Sequence, residues 1–202
     1  MQEIEQHKVI ISQALLKKSL VNNEITKIVA ELISEEKKLA ANHTLLVFDA
    51  EAAAGIIHLK ACIRFAIKSF KDNTNIAKNL NAEIMLYLSG NRQIRKAFPK
   101  VGIVLSTKKL VMVQIIDSSN DIKDIKQFNF KAFFEKLAIE IQDYKMNIDR
   151  IKVNNFEKVL KNLEISDEVI HMYTQTKNVS STDSAIIEKL AIEKSALLNL
   201  EK

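Results

Sequence analysis

The sequence predicts a mixed α/β fold in which helices outnumber strands, and two observations carry this. Leu, Ile, Lys and Glu dominate, while 202 residues hold only three glycines, one proline and no tryptophan; that mix favours helices with a modest sheet. Apolar residues also recur at steps of three and four through several long stretches, whereas β-branched, strand-like runs are few and short. Apolar residues make up 47% of the chain, enough for a packed core, which excludes a disordered chain.

Lys8–Leu16 (KVIISQALL) is rich in β-branched residues and predicts an opening strand. Asn22 or Asn23 can cap a helix to about Leu39, with Ile25, Ile28, Val29, Leu32 and Ile33 on its apolar face. A short apolar run, Leu45–Phe48, leads to Asp49, which is expected to cap the longest clear helix, reaching about Phe70. Asp49 and Glu51 lie at its positive end, and Lys68 and Lys71 at its negative end, as the helix dipole favours. His58 lies on this helix with no second histidine four residues away, so it reads as a boundary residue rather than a metal ligand. Cys62, the only cysteine, reads as a small core residue. A lone cysteine allows no disulfide and suits a reducing compartment such as cytosol or nucleus.

The chain is organised around Asn81–Val113. Ala82–Leu88 is apolar on both sides and is read as an interior strand, ending at Ser89-Gly90. A short charged helix is expected from about Asn91 to Phe98, stopped by Pro99, with Gly102 starting the return to a second buried strand at Lys109–Ile115. A helix that starts straight after a strand leaves its first N–H groups without intrahelical partners, and such an end suits phosphate or ribose oxygens. The candidate residues there are Ser89, Gly90, Asn91, Arg92, Gln93 and Lys96. Arg92 offers a planar fork of donors, Gln93 could read a base edge or a hydroxyl, and Lys96 lies one turn on, with Arg95 and Lys100 close by. The alternative is a capped helix with a charged outer face, and the residues alone leave both open.

Beyond this unit, Asp117–Asp124 is read as a surface loop. Phe128, Phe130, Phe133 and Phe134 open a helix expected to reach Tyr144. These rings could stack on nucleotides, but their helical spacing points to core packing. A last strand is expected near Asp149–Val153, then a helix at Phe156–Leu163 and another capped by Ser166. A polar break, Thr174–Asp183, precedes the closing helix Ser184–Leu200. The apolar stripe of that helix is wide; either it is deeply buried or its surplus faces another protein.

The formal net charge is +5, which permits an anionic partner such as RNA without requiring one. No apolar run is long enough to span a membrane, and the start, MQEIEQHK, has no hydrophobic signal region. The motifs of common catalytic classes are missing: no phosphate-cradling loop with a lysine, no HExxH, no paired cysteines and no GxSxG. The four histidines are scattered. Neither a metal nor a cofactor is expected, and an enzyme with a site assembled from distant residues remains an alternative.

The string NAEIMLYLSGNRQIRKAFPKVG resembles a segment of the TPRKB family, the small kinase-binding (PRPK-binding) subunit of the KEOPS (EKC) complex. The matching residues are Ser89, Gly90, Arg92, Gln93, Ile94, Ala97 and Gly102. His58, Leu59, Ala61 and Ala66 lie at the expected distance before it. Glu168–Tyr173 resembles the family's penultimate helix, and Ile187–Ala191 its last. The resemblance implies one domain over residues 1–202, with a small, mostly antiparallel central sheet wrapped by several α-helices and a helical C-terminal segment from about residue 154. It implies a non-catalytic subunit of the assembly that forms threonylcarbamoyladenosine beside the tRNA anticodon. This subunit would bind and support the atypical kinase/ATPase and contact the 3′ CCA end of tRNA, in nucleus and cytoplasm, or in the cytoplasm of a prokaryote. The RNA would meet the turn at Ser89–Lys96, and the kinase the closing helix through Ile186, Ile187, Leu190, Ala191, Lys194 and Leu197. A purely structural adaptor without RNA binding is the alternative.

Overall fold

A computed structural model describes residues 2–39, 42–118, 126–151, 156–175 and 184–199. In chain order the elements begin with β1 (Gln2–Ile4), β2 (His7–Leu16), α1 (Asn22–Lys38), β3 (His43–Asp49) and a 3-10 turn at Ala50–Ala52. Next come α2 (Ile56–Lys71), α3 (Leu80–Ser89), α4 (Ile94–Val101), β4 (Lys109–Asp117), α5 (Phe130–Lys136) and β5 (Ile141–Met146). The last helices are α6 (Phe156–Asn162), α7 (Asp167–Gln175) and α8 (Ser184–Leu197). The fold is therefore mixed α/β with an antiparallel sheet and a helical C-terminus, as the sequence predicts. The chain forms two compact units, 1–50 with 103–148 and 51–102 with 149–202.

The first unit holds the whole sheet. β2 pairs with β4 along its length, β3 pairs with the far side of β4, and β1 and β5 share the other edge of β2. β4 is buried from Leu110 to Ile116, as its unbroken apolar run requires. On one side Ile28 of α1, Leu45 and Val47 of β3, and Leu110 and Met112 of β4 pack with Phe130, Phe133 and Phe134 of α5. The phenylalanine cluster is thus core, with Phe128 and Phe130 meeting edge to face at 4.9 Å. The helix expected to continue to Tyr144 stops at Lys136, because Ala138 turns left-handed (φ 58°) and the chain re-enters the sheet as β5. The buried Gln114 of β4 donates to the Lys126 carbonyl and accepts from the Phe128 amide, fixing the approach to α5.

Further expectations need correction here. Leu45–Phe48 is the body of a full strand, and Asp49 ends that strand instead of capping a helix; its carboxylate accepts from Thr107 Oγ1 at 3.1 Å. α1 begins at Asn22 with Val21 before it, and the Val21 amide donates to Glu24 at 3.0 Å. No strand forms at 149–151, and 152–155 lie outside the described residues. Most of the polar loop at 117–124 and of the break at 174–183 also lies outside them.

Among the described residues the regular elements of the second unit are all helical, and its centre is α3. This is the segment read as an interior strand, Ala82–Leu88. It is a helix whose residues Glu83 to Ser89 are all buried. A helix covered on every side shows no polar stripe, so its periodicity matches a buried strand equally well. α3 packs against α2, α4 and α8. Its buried carboxylate, Glu83, accepts from the Ser69 hydroxyl and from the Ile76 and Ala77 amides, which pins the loop before it.

Candidate nucleic-acid interface

The turn joining α3 to α4 holds the residues singled out from sequence. α3 closes with Gly90 in the left-handed region (φ 62°), a conformation that costs a residue with a Cβ. The Gly90 amide donates to the Tyr87 carbonyl and the Asn91 amide to the Leu86 carbonyl, both at 3.2 Å. This is the paired pattern that satisfies a helix C-terminus. Ser89 is fully buried; its hydroxyl donates to the Leu86 carbonyl and accepts from the Asn91 amide, while the Asn91 side chain donates to the Ser89 carbonyl. The amides of Gly90 and Asn91 and the side chain of Ser89 are therefore spent on α3, not left for a ligand.

α4 starts later than its sequence suggests, at Ile94, with Gln93 as the preceding cap residue. The amides of Lys96 and Ala97 return to the Gln93 carbonyl, and the Gln93 side chain makes no cap hydrogen bond. Gln93, Ile94, Arg95 and Lys96 are exposed and Arg92 is half-buried. Arg92 reaches the Leu198 carbonyl only at 3.4 Å, a long contact that leaves most of its donors unused. Pro99 lies inside α4 instead of stopping it. Proline removes its own donor but not those after it, and the Gly102 amide still closes on the Phe98 carbonyl at 2.7 Å.

One neighbour of the turn is a residue that the sequence assigned elsewhere. A Cβ placed on Gly90 would lie 3.5 Å from Cγ of Lys194. Lys100 donates to Glu164 and to the Asn162 carbonyl, each at 2.8 Å. Its hydrogen bond and charge hold the Glu164 carboxyl below the usual carboxylate range, and Lys194 and Lys96 add to this through space. Lys96, Lys100 and Lys194 thus share the neighbourhood of the Glu164 carboxylate. Lys194 belongs with this basic surface; no spacing rule on α8 alone could have shown it.

The stripe on α8 resolves toward burial. Ile187 and Ala191 pack with Val159 of α6 and Leu163 just after it, and Ile186 and Leu190 with Ile170 of α7. Ile186, Ile187, Leu190 and Ala191 are each at most 8% exposed, so these four present little area for a kinase. The extra width of the stripe exists because several helices, α2 and α3 as well as α6 and α7, pack against α8. Leu197, at 44% exposure, and half-buried Lys194 are the members that reach solvent.

His58 is fully buried instead of lying at a boundary. Its Nδ1 accepts from the Ala54 amide at 3.1 Å, which places the proton on Nε2, 3.0 Å from Ser195 Oγ. Burial pushes its pKa down to about 3 and that of Cys62 up to about 12. Both are inert packing groups at neutral pH. Among the described residues no cluster of histidine, cysteine and carboxylates could hold a metal, and no helix is long and apolar enough to cross a membrane. In comparisons with known proteins, residues 13–194 match the family model described as kinase binding protein CGI-121. No curated protein matches the chain.

Proposed function

Because the chain belongs to the CGI-121 kinase-binding family, the TPRKB family that its central string resembles, we propose that it is a non-catalytic accessory subunit of a KEOPS assembly. In this reading it binds and supports the PRPK-like atypical kinase/ATPase and grips the 3′ CCA end of tRNA during threonylcarbamoyladenosine formation. It works in the nucleus and cytoplasm, or in the cytoplasm of a prokaryote. Beyond the family, one observation carries the RNA part: the start of α4 has no side-chain cap and opens to solvent among Arg92, Gln93, Lys96 and Lys194. Helix-start amides with a guanidinium beside them suit a ribose-phosphate terminus, and unstacked single-stranded ends are what proteins read in RNA. Of the α8 stripe, Leu197 is left to offer apolar area to the kinase.

One observation favours the adaptor alternative: the Gly90 and Asn91 amides already serve α3, so the donors available to RNA begin only at Arg92. Binding of the full chain with its kinase to intact tRNA and to tRNA lacking CCA separates the two. The expected result is tighter binding of intact tRNA, with the difference erased by Arg92→Ala and weakened by added salt. An Arg92→Ala, Gln93→Ala double variant that keeps the full preference sinks the RNA reading and leaves the adaptor.

A further inference from the structure

α6, α7 and α8 enclose an open groove of about 610 Å³ that neither the kinase nor the RNA reading uses. Its floor is apolar: Phe156 and Leu160 of α6, Ile170 of α7 and Ile187 of α8. Its rim carries Glu157, Asp167 and Glu168, all exposed. Among the described residues that line it, which also include His171 and Thr174, there is no lysine or arginine, although the chain as a whole carries +5. The nearest cation on α6, Lys158, is held by Glu51 at 3.1 Å.

We propose that this groove docks a basic amphipathic helix of a protein partner, apolar side chains on the floor and Lys or Arg against the three carboxylates. The walls fix the form of the occupant. They are helices whose backbone groups bond internally, so no strand edge is offered and the incoming segment satisfies its own backbone as a helix. The rim fixes its charge. Three carboxylates around an apolar floor repel phosphate and attract cations, which disfavours RNA and anionic lipid. Each of the three carboxylates lies in the first turn of its helix and suits that helix's dipole, but the dipoles do not account for all three facing one apolar floor.

The test pans a display library of helical peptides against the full chain, with apolar positions at helical spacing and randomised flanks. Enriched sequences are expected to carry Lys or Arg flanks. Their affinity, read by fluorescence anisotropy, falls about tenfold in a Glu157→Gln, Asp167→Asn, Glu168→Gln variant, equivalent to about 1.4 kcal/mol. Lys161→Gln, on the same helix outside the groove, changes it by less than about twofold, within the range of ordinary surface substitutions. Melting curves establish that the triple variant stays folded. No enrichment, enrichment of acidic flanks, or unchanged affinity in the triple variant overturns the proposal. So does a dimer of the chain that the triple variant dissociates, since the occupant is then a second copy.

Discussion

Two helices of the second unit begin in opposite ways. At the start of α2 the Glu188 carboxylate, reaching from α8, accepts from the amides of Ile57 at 2.6 Å and His58 at 3.0 Å. Gly55 makes this possible, since a Cβ there would collide with that carboxylate. Among the described residues no side chain does this work at the start of α4, and the residues around it face solvent. Both starts have the same orphan donors and the same positive dipole end. One is closed by the protein's own anion; the other is left with cations beside it. A helix start marks a candidate anion site only after the fold has declined to fill it, and α4 meets that condition where α2 does not.

The largest effect expected at the sealed start comes from pH. The folded chain holds His58 neutral, with a pKa near 3 against an ordinary 6.5. The unfolded chain takes up a proton below about 6.5 and the folded chain does not. The stabilisation is therefore complete above pH 6.5 and is lost as pH falls toward 3. The limit is on the order of 4 kcal/mol. Denaturant unfolding at pH 7, 5 and 4 should show the loss. His58→Gln is expected to be less stable at pH 7 yet to lose less on acidification; an equal loss in both proteins would contradict it.

Next in size is the cap itself. Glu188→Ala leaves two amides at the start of α2 without their acceptor and should cost about 2 kcal/mol. Gln93→Ala, at the corresponding place before α4, should stay within about 0.5 kcal/mol. The two denaturation midpoints check this directly, and equal losses would mean that the two starts do not differ in the way the hydrogen bonds indicate.

Much of the first unit was legible in the sequence because its elements keep a polar side. β2 and α1 carry clear patterns and fall where these put them. α3 was misread because burial of every residue from Glu83 to Ser89 erased the difference between a strand and a helix. α5 was drawn too long because the break at Ala138 uses a left-handed residue that is not glycine. The basic turn was found from a glycine followed two residues later by an arginine, but the start of α4 was placed too early, and so the amides of Gly90 and Asn91 were assigned to the wrong helix. Glu188 and Lys194 were beyond reach for a different reason. Each acts on a residue more than 100 positions away, Ile57 and Gly90 respectively, and nothing in local spacing records such a meeting.

The smallest effect sharpens the open start. Gly90 lies at φ 62°, and a Cβ there would meet Leu163 Cδ2 at 3.4 Å and Lys194 Cγ at 3.5 Å. The contacts are close but sit on side chains that can shift, so the cost of Gly90→Ala is mainly conformational, about 1 kcal/mol. Gly90→Asn should cost less, because asparagine tolerates the left-handed region better than alanine. Neither change removes a donor from the start of α4. If that start, and not the glycine turn before it, meets RNA, both variants should keep the preference for a tRNA bearing its CCA end while melting earlier than the parent. A Gly90→Asn protein that is nearly as stable as the parent but indifferent to the CCA end would move the contact back onto Gly90 itself, where RNA would have to approach the bare backbone.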